Sequence, residues 1–236
     1  MLNWAAECAA VIPCLDEADY ISGLVTEVKC YLPEIIVVDD ASKDRTAVLA
    51  REKGARVLSH KHHRGKGAAL DTGWQEAMRL GFKWALNLDG DGQHSPVDIT
   101  RFLDSADKAP DVRLWVGNRF SQPRLIPPLR RAVNVYMSRR ISTLAGVELP
   151  DTQCGFRLMH LQSWAALTCD AQYYEIESDI IVRFLAAGCQ VRFVPIQVIY
   201  AGERSKIRPL RDAIRWLRWW RRTRRRVGED GRGRLA

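Results

Sequence analysis

Trp84-Ala85-Leu86-Asn87-Leu88-Asp89-Gly90-Asp91-Gly92-Gln93-His94 is a short apolar run that ends in two carboxylates separated by one glycine. The run has the length and character of a buried strand. A strand that stops in this way delivers both acids to its C-terminal edge, where open α/β sheets bind ligands. Two acidic groups this close repel each other unless a cation sits between them, and hard oxygen ligands suit Mg²⁺ or Mn²⁺. Asp-Gly is also a common turn dipeptide, so the spacing fits a solvated turn equally well. An EF-hand loop fits poorly, because its twelfth position would be Thr100 rather than Glu.

Working outward, the same pattern repeats. Cys8 to Ile12 reads as a first strand, ending at Pro13-Cys14-Leu15-Asp16-Glu17. Tyr20 to Lys29 has helical spacing. Glu34 to Val38 is a second strand that ends in Asp39-Asp40; a turn over 41–46 and a helix to about Lys53 follow. Ala55 to Leu58 is a third strand, and Ala68 to Leu80 a helix. This alternation predicts βαβ units with a parallel sheet. Three of the four strands would then place acids along one edge of the sheet. Arg64-Gly65-Lys66-Gly67 before a helix offers cations, glycines and a helix N-terminus to a phosphate, with Lys66 as the candidate ligand. It lacks P-loop spacing. His60, His62 and His63 read as a solvated loop in preference to a metal cluster.

The chain has 236 residues, enough for one large domain, and 47% of them are apolar. That composition argues against disorder. No apolar run reaches a membrane span, and Met1-Leu2-Asn3-Trp4 does not begin a secretory signal. Six cysteines without zinc or CxxC spacing suggest reduced thiols and a cytoplasmic protein. The net charge of +8 is concentrated toward the C-terminus and points to an anionic partner.

The ordered set Val11 to Glu17, Ile36 to Thr46, Arg64 to Gly67 and Asp89 to His94 resembles the family 2 glycosyltransferases with the GT-A fold. Asp151-Thr152-Gln153-Cys154-Gly155-Phe156-Arg157 is similar to the dolichyl- and polyprenyl-phosphate mannose and glucose synthases. The resemblance implies a three-layer α/β/α domain with a mostly parallel central sheet over residues 1–206. Its nucleotide half would be 8–94 and its acceptor half 95–206. It implies that Pro13, Leu15 and Glu17 surround a nucleotide-diphospho-sugar, with Val38, Asp39 and Asp40 at base and ribose. Asp89, Gly90 and Asp91 match the DxD element, and Asp91 with Asp89 and Gln93 would hold Mg²⁺ or Mn²⁺. Arg119, Arg204 and Lys206 would share the diphosphate charge. Asp151 could align the acceptor or help the metal, and Glu177 could face the acceptor. The chain carries Asp16 where the family usually has Asn, and Leu15 where synthases often have Tyr.

In the second half, Val112 to Val116 and Gln190 to Ile199 read as strands, the latter near an edge because of Pro195. A helix is expected from about Tyr174 to Ala187. A basic helix over Leu129 to Leu144 makes Arg130, Asn134 and Ser138 candidates for an acceptor phosphate, or else forms an exposed basic face. A phosphate monoester is already anionic near neutral pH, so it needs no general base. The second half shows no clear base motif, which favours a lipid phosphate acceptor over a glycan, glycolipid or small hydroxyl.

Residues 207–227 read as a basic amphipathic helix rich in Trp, suited to an anionic membrane surface on the inner face of the membrane. Packing on the core and RNA binding are the alternatives, with nucleic acid disfavoured. Many relatives carry transmembrane helices after this point, so reversible membrane binding or a membrane-protein partner is expected. Residues 228–236 are expected to be disordered. Two further readings compete: a sugar-1-phosphate nucleotidyltransferase, whose N-terminal glycine-rich signature is missing, and a non-catalytic binding protein on the same scaffold.

Overall fold

The computed structural model describes residues 2–121, 126–167, 171–199 and 209–229. Within them a seven-stranded sheet has the order β3-β2-β1-β4-β6-β5-β7 and carries helices on both sides. The strands are β1 (Cys8–Cys14), β2 (Ile35–Asp39), β3 (Arg56–Ser59), β4 (Trp84–Asn87), β5 (Leu114–Asn118), β6 (Arg157–His160) and β7 (Val191–Pro195). β1, β2 and β4 are central and fully or nearly fully buried. Their continuous apolar runs, lacking alternation, are what a sheet covered on both faces requires.

The helices are α1 (Trp4–Glu7), α2 (Ala18–Val28), α3 (Thr46–Glu52), α4 (Lys66–Arg79), α5 (Ile99–Lys108), α6 (Pro128–Ala145), α7 (Leu161–Ala165), α8 (Ile176–Ala186) and α9 (Pro209–Glu229). α4 packs tightly on the sheet because Gly73 lies against β1; a Cβ there would come within 2.4 Å of Val11 Cγ1. Trp74 from the same helix donates to Asn87 Oδ1 at 2.8 Å, satisfying two buried polar groups at once.

Two differences from the sequence reading concern the sheet. β6 was not anticipated: it runs antiparallel to both β4 and β5 and separates them. Its four residues are too few to show a period, and its first, Arg157, is a charged residue buried to 1% exposure. β7 pairs with β5 and stops at Pro195, earlier than expected; it lies at the sheet edge, where a missing N–H costs no ladder bond.

The C-terminal helix also differs. α9 continues to Glu229, two residues beyond the expected end, and residues 230–236 lie outside the described residues. Its tryptophans face inward. Trp216, Trp219 and Trp220 are buried in the core cluster. Trp216 Nε1 donates to Ser178 Oγ at 3.0 Å, and Trp219 Nε1 to Asp179 Oδ1 at 2.7 Å. The tryptophan side of the helix therefore covers α8, while Ile214 and Leu217 of the expected apolar stripe stay exposed. Two buried polar side chains at the start of α8 need donors, and the indoles provide them.

Candidate functional site

The site lies where β1, β2 and β4 end. The loops after β1 and β2 are knitted together. Asp16 N and Glu17 N donate to Ser42 Oγ and Thr46 Oγ1, at 2.9 and 2.8 Å, and Lys43 N donates to Asp16 Oδ1 at 2.7 Å. Asp16 and Ala41 both take left-handed backbone conformations there, with φ of 52° and 67°. Non-glycine residues in that region carry strain, which concentrates at ligand sites.

Gly90 brings the end of β4 against the end of β1: a Cβ at 90 would sit 2.7 Å from Cys14 Sγ and 3.3 Å from Pro13 O. Asp89, Gly90 and Asp91 thus stand beside Pro13 and the buried Glu17. Asp91 accepts from Gln93 N at 3.1 Å and from Gln93 Nε2 at 2.6 Å. Asp39, also buried, accepts from Ser42 N at 3.2 Å.

Asp40 reaches the same place through the chain after β3. Its carboxylate accepts from Arg64 N (2.8 Å) and Gly65 N (2.7 Å), and pairs with His60 Nδ1 (2.6 Å) and His63 Nδ1 (2.7 Å). The histidine loop is therefore not simply solvated. His60 is fixed between Asp40 and Thr72, and Asp40 spends its oxygens on holding this loop. The next residue, Lys66, places Nζ 2.5 Å from Asp89 Oδ1 and 2.6 Å from Glu177 Oε1. Glu177 Oε2 in turn meets Arg157 Nη2 at 2.9 Å. The result is a chain of alternating charge, Asp89–Lys66–Glu177–Arg157, which crosses from β4 to the first turn of α8.

That chain revises the role expected of residues 64–67. Lys66 is spent on two carboxylates. The glycines make room for the protein itself, since a Cβ at Gly67 would fall 2.5 Å from Ala171 O, and one at Gly65 2.6 Å from Gln172 O. Gly155 plays the corresponding part opposite: a Cβ there would lie 2.7 Å from Asp89 Oδ2 and 2.8 Å from Lys66 Nζ.

Burial alone would push Asp89 upward, but Lys66, His94 and Arg119 outweigh it and hold the carboxyl at about 2. His94 is lowered to about 4, chiefly by burial, with Arg119 and Lys66 adding to the shift against Asp89. A neutral His94 fits its contact, in which Nδ1 accepts from Asp89 N at 3.3 Å. Tyr174 is pushed up to about 12 by burial and stays a phenol.

Four sequence expectations change here. Val38 is fully buried under α4, with Cγ2 3.3 Å from the position of a Gly73 Cβ, so its side chain packs in the core. Asp151 is fully buried, and its oxygens accept from Arg119 Nε and Nη2 at 2.8 and 2.9 Å. The two charges are locked on each other, as buried ions require. Ser138 is buried, and its hydroxyl is committed to Thr152 at 3.0 and 3.1 Å, pinning the 151–152 turn. Glu177 lies in the ion-pair chain described above. Arg130 and Asn134 are half-buried on α6, while Arg204 and Lys206 lie outside the described residues.

Sequence reasoning missed Arg157, His94, and the Ser178–Gln153 pair at 2.8 Å that ties α8 to the 151–157 turn. The one available signal was a lone Arg inside the quoted motif.

No cluster of three His, Cys, Asp or Glu side chains able to hold a metal occurs among the described residues. The donor set still suits a hard cation. Asp91 and the Gln93 amide supply oxygen chemistry at the crevice, Asp89 lies two residues away, and Mg²⁺-type ions take their remaining ligands from water and substrate phosphates.

Such a sheet, with a reversed strand beside the acid-bearing one, is the GT-A arrangement. Residues 9–165 match the model of the family described as glycosyl transferase family 2, and the chain belongs to that family. It is therefore a glycosyltransferase. It is 30% identical over 203 residues to the polyprenol monophosphomannose synthase of Mycolicibacterium smegmatis, covering 79% of this chain and 75% of that one. It is 28% identical over 214 residues to the UDP-N-acetylglucosamine–dolichyl-phosphate N-acetylglucosaminyltransferase of Methanococcus voltae, covering 80% and 84%. In fold it is similar to glucosyl-3-phosphoglycerate synthase from Mycobacterium tuberculosis, solved with Mn²⁺, UDP and phosphoglyceric acid. That match has a TM-score of 0.72 at 17% identity and covers 92% of this chain and 77% of the other.

Proposed function

We propose that this enzyme is an inverting, divalent-metal-dependent transferase that moves a sugar from a nucleotide-diphospho-sugar to a polyprenyl phosphate at the cytoplasmic face of a membrane. The observation that carries the reading is Asp91, folded against Gln93 beside Asp89 at the strand-end crevice. Mg²⁺ or Mn²⁺ held by Asp91, Asp89 and Gln93 would neutralise the leaving nucleoside diphosphate. Pro13, Leu15, Glu17, Asp39 and Gly90 line the donor side of the crevice. Lys66 keeps Asp89 ionised and oriented and does not itself hold phosphate. Arg204 and Lys206 remain proposed partners of the diphosphate.

An acceptor phosphate oxygen attacks the anomeric carbon from the face opposite the diphosphate. The new C–O bond forms as the sugar–diphosphate bond breaks, and no proton has to be removed. Two facts support phosphate over hydroxyl as acceptor. Asp151 and Glu177, the acceptor-side carboxylates named from the sequence, are both buried and ion-paired, and so poorly placed to act as bases. Both relatives named above carry an isoprenoid phosphate in their names. Arg130 and Asn134 are the proposed acceptor-phosphate contacts.

The test is a panel of UDP- and GDP-sugars incubated with short polyprenyl phosphates and Mn²⁺, with products read by mass. A glycosyl-phospho-polyprenol that disappears with EDTA is expected. Transfer only to hydroxyl acceptors would overturn the acceptor, and full activity in EDTA would overturn the metal.

A further inference from the structure

α6 carries an apolar stripe on its outer face. Leu129, Val133 and Tyr136 are 78%, 48% and 55% exposed and recur at i, i+4 and i+7, on one side of the helix. The side that carries Ser138, Ile141 and Ala145 packs inward, roughly opposite. The helix has four arginines and no acidic residue, and Arg131, Arg139 and Arg140 are exposed.

At Arg140 the stripe meets α9, where the guanidinium lies 5.5 Å from the Trp220 ring centroid. α9 hides its tryptophans and turns Ile214 and Leu217 outward, 49% and 42% exposed, among eight arginines. Two neighbouring helices thus each show aliphatic side chains set in positive charge.

We propose that the outer face of α6, continued by Ile214 and Leu217 of α9, docks on an anionic lipid surface. The occupant is argued from charge and shape together. A helix lying in a bilayer interface needs a narrow apolar face to enter the acyl boundary and flanking cations to meet anionic headgroups. α6 supplies both. A second copy of this chain would bring two acid-free arginine helices together and meet like-charge repulsion. Nucleic acid needs the arginines but gives Leu129 and Val133 nothing to bury against. The same helix holds Arg130 and Asn134 on its inward, half-buried side, so docking would bring the proposed acceptor-phosphate contacts close to the membrane. This last point rests on the proposed lipid acceptor; the docking itself does not.

The test is sedimentation of the full chain with phosphatidylglycerol vesicles and with phosphatidylcholine vesicles, in the absence of donor. The wild type is expected to bind the anionic vesicles. The triple variant Leu129→Ser/Val133→Ser/Tyr136→Ser keeps every arginine and should bind about tenfold more weakly. It should retain wild-type transfer to a water-soluble short-chain polyprenyl phosphate, which also shows that it folds. Val48→Ser, at an apolar residue 45% exposed on α3, should bind like wild type. A second variant, Arg139→Gln/Arg218→Gln, which removes exposed arginines beside the apolar faces of α6 and α9, should lose anionic selectivity. Undiminished vesicle binding by the triple variant would overturn the proposal. So would binding of RNA in place of vesicles, or a dimer that the triple variant dissolves. Failure of transfer with intact vesicle binding would count against the lipid acceptor alone.

Discussion

Lys66 and Asp89 approach to 2.5 Å, and the contact joins a helix N-terminus to the end of the central strand. Glu177 shares the same ammonium at 2.6 Å. Removing the lysine leaves two largely buried carboxylates facing each other. Lys66→Met should cost about 3 kcal/mol, read from urea unfolding. Lys66→Met/Glu177→Gln should recover part of that loss, because it removes one of the uncompensated charges. Recovery by the double variant separates this electrostatic account from simple loss of packing.

Gly155→Ala tests the other side of Asp89. The added methyl would stand 2.7 Å from Asp89 Oδ2, and the obstructed atoms are the ends of two side chains. Both ends belong to the ion pair that Lys66 makes, so displacing them should cost the fold about 1–3 kcal/mol. The displaced carboxylate should lower kcat/KM by about 10- to 100-fold, since small misplacements are costly in an oriented site. Steady-state kinetics beside a melting curve checks both halves.

Asp91→Ala should abolish transfer with little change in stability. A loss of at least about 100-fold is expected when a preorganised charge at the reacting centre is removed. Normal turnover by purified Asp91→Ala protein would contradict the proposed mechanism.

Trp219→Phe removes the donor that meets buried Asp179 at 2.7 Å. The ring is nearly preserved, so the expected cost of about 1–2 kcal/mol belongs to the hydrogen bond. Ile214→Ser, on the exposed side of the same helix, should stay within about 0.5 kcal/mol of wild type. Urea midpoints of the two variants report which face of α9 is covered.

The thiols should divide sharply. Cys154 is buried and pushed up to about 12 by burial, and Cys8 is raised the same way, while Cys30 is exposed. Thiolate is the reactive form. Iodoacetamide at pH 8 should label Cys30 in the native protein and leave Cys8 and Cys154 unmodified until urea is added, as peptide mass mapping would show.

The acid-bearing strand ends were legible because buried parallel strands leave uninterrupted apolar runs, and those of β1, β2 and β4 run into carboxylates. Partners were harder to read. Asp151 and Arg119 are 32 positions apart, and nothing local says that they neutralise each other. The glycines at 65 and 67 announced a close approach, but sequence could not say whether a phosphate or residues 171–173 would fill the space. For α9, periodicity revealed a tryptophan stripe and was silent on what covers it; buried Ser178 and Asp179 decided that. β6 escaped because a four-residue strand between two others is specified by its neighbours.

The reversed strand also orders the assembly of the molecule. Until residue 157 has left the ribosome, β4 has a bare flank, and β5 has no route to join the nucleotide-binding half. The contacts of Gly155, Arg157 and Glu177 with the acidic crevice therefore form late, and a nascent polypeptide halted before β6 presents an open strand edge for chaperones or for other chains.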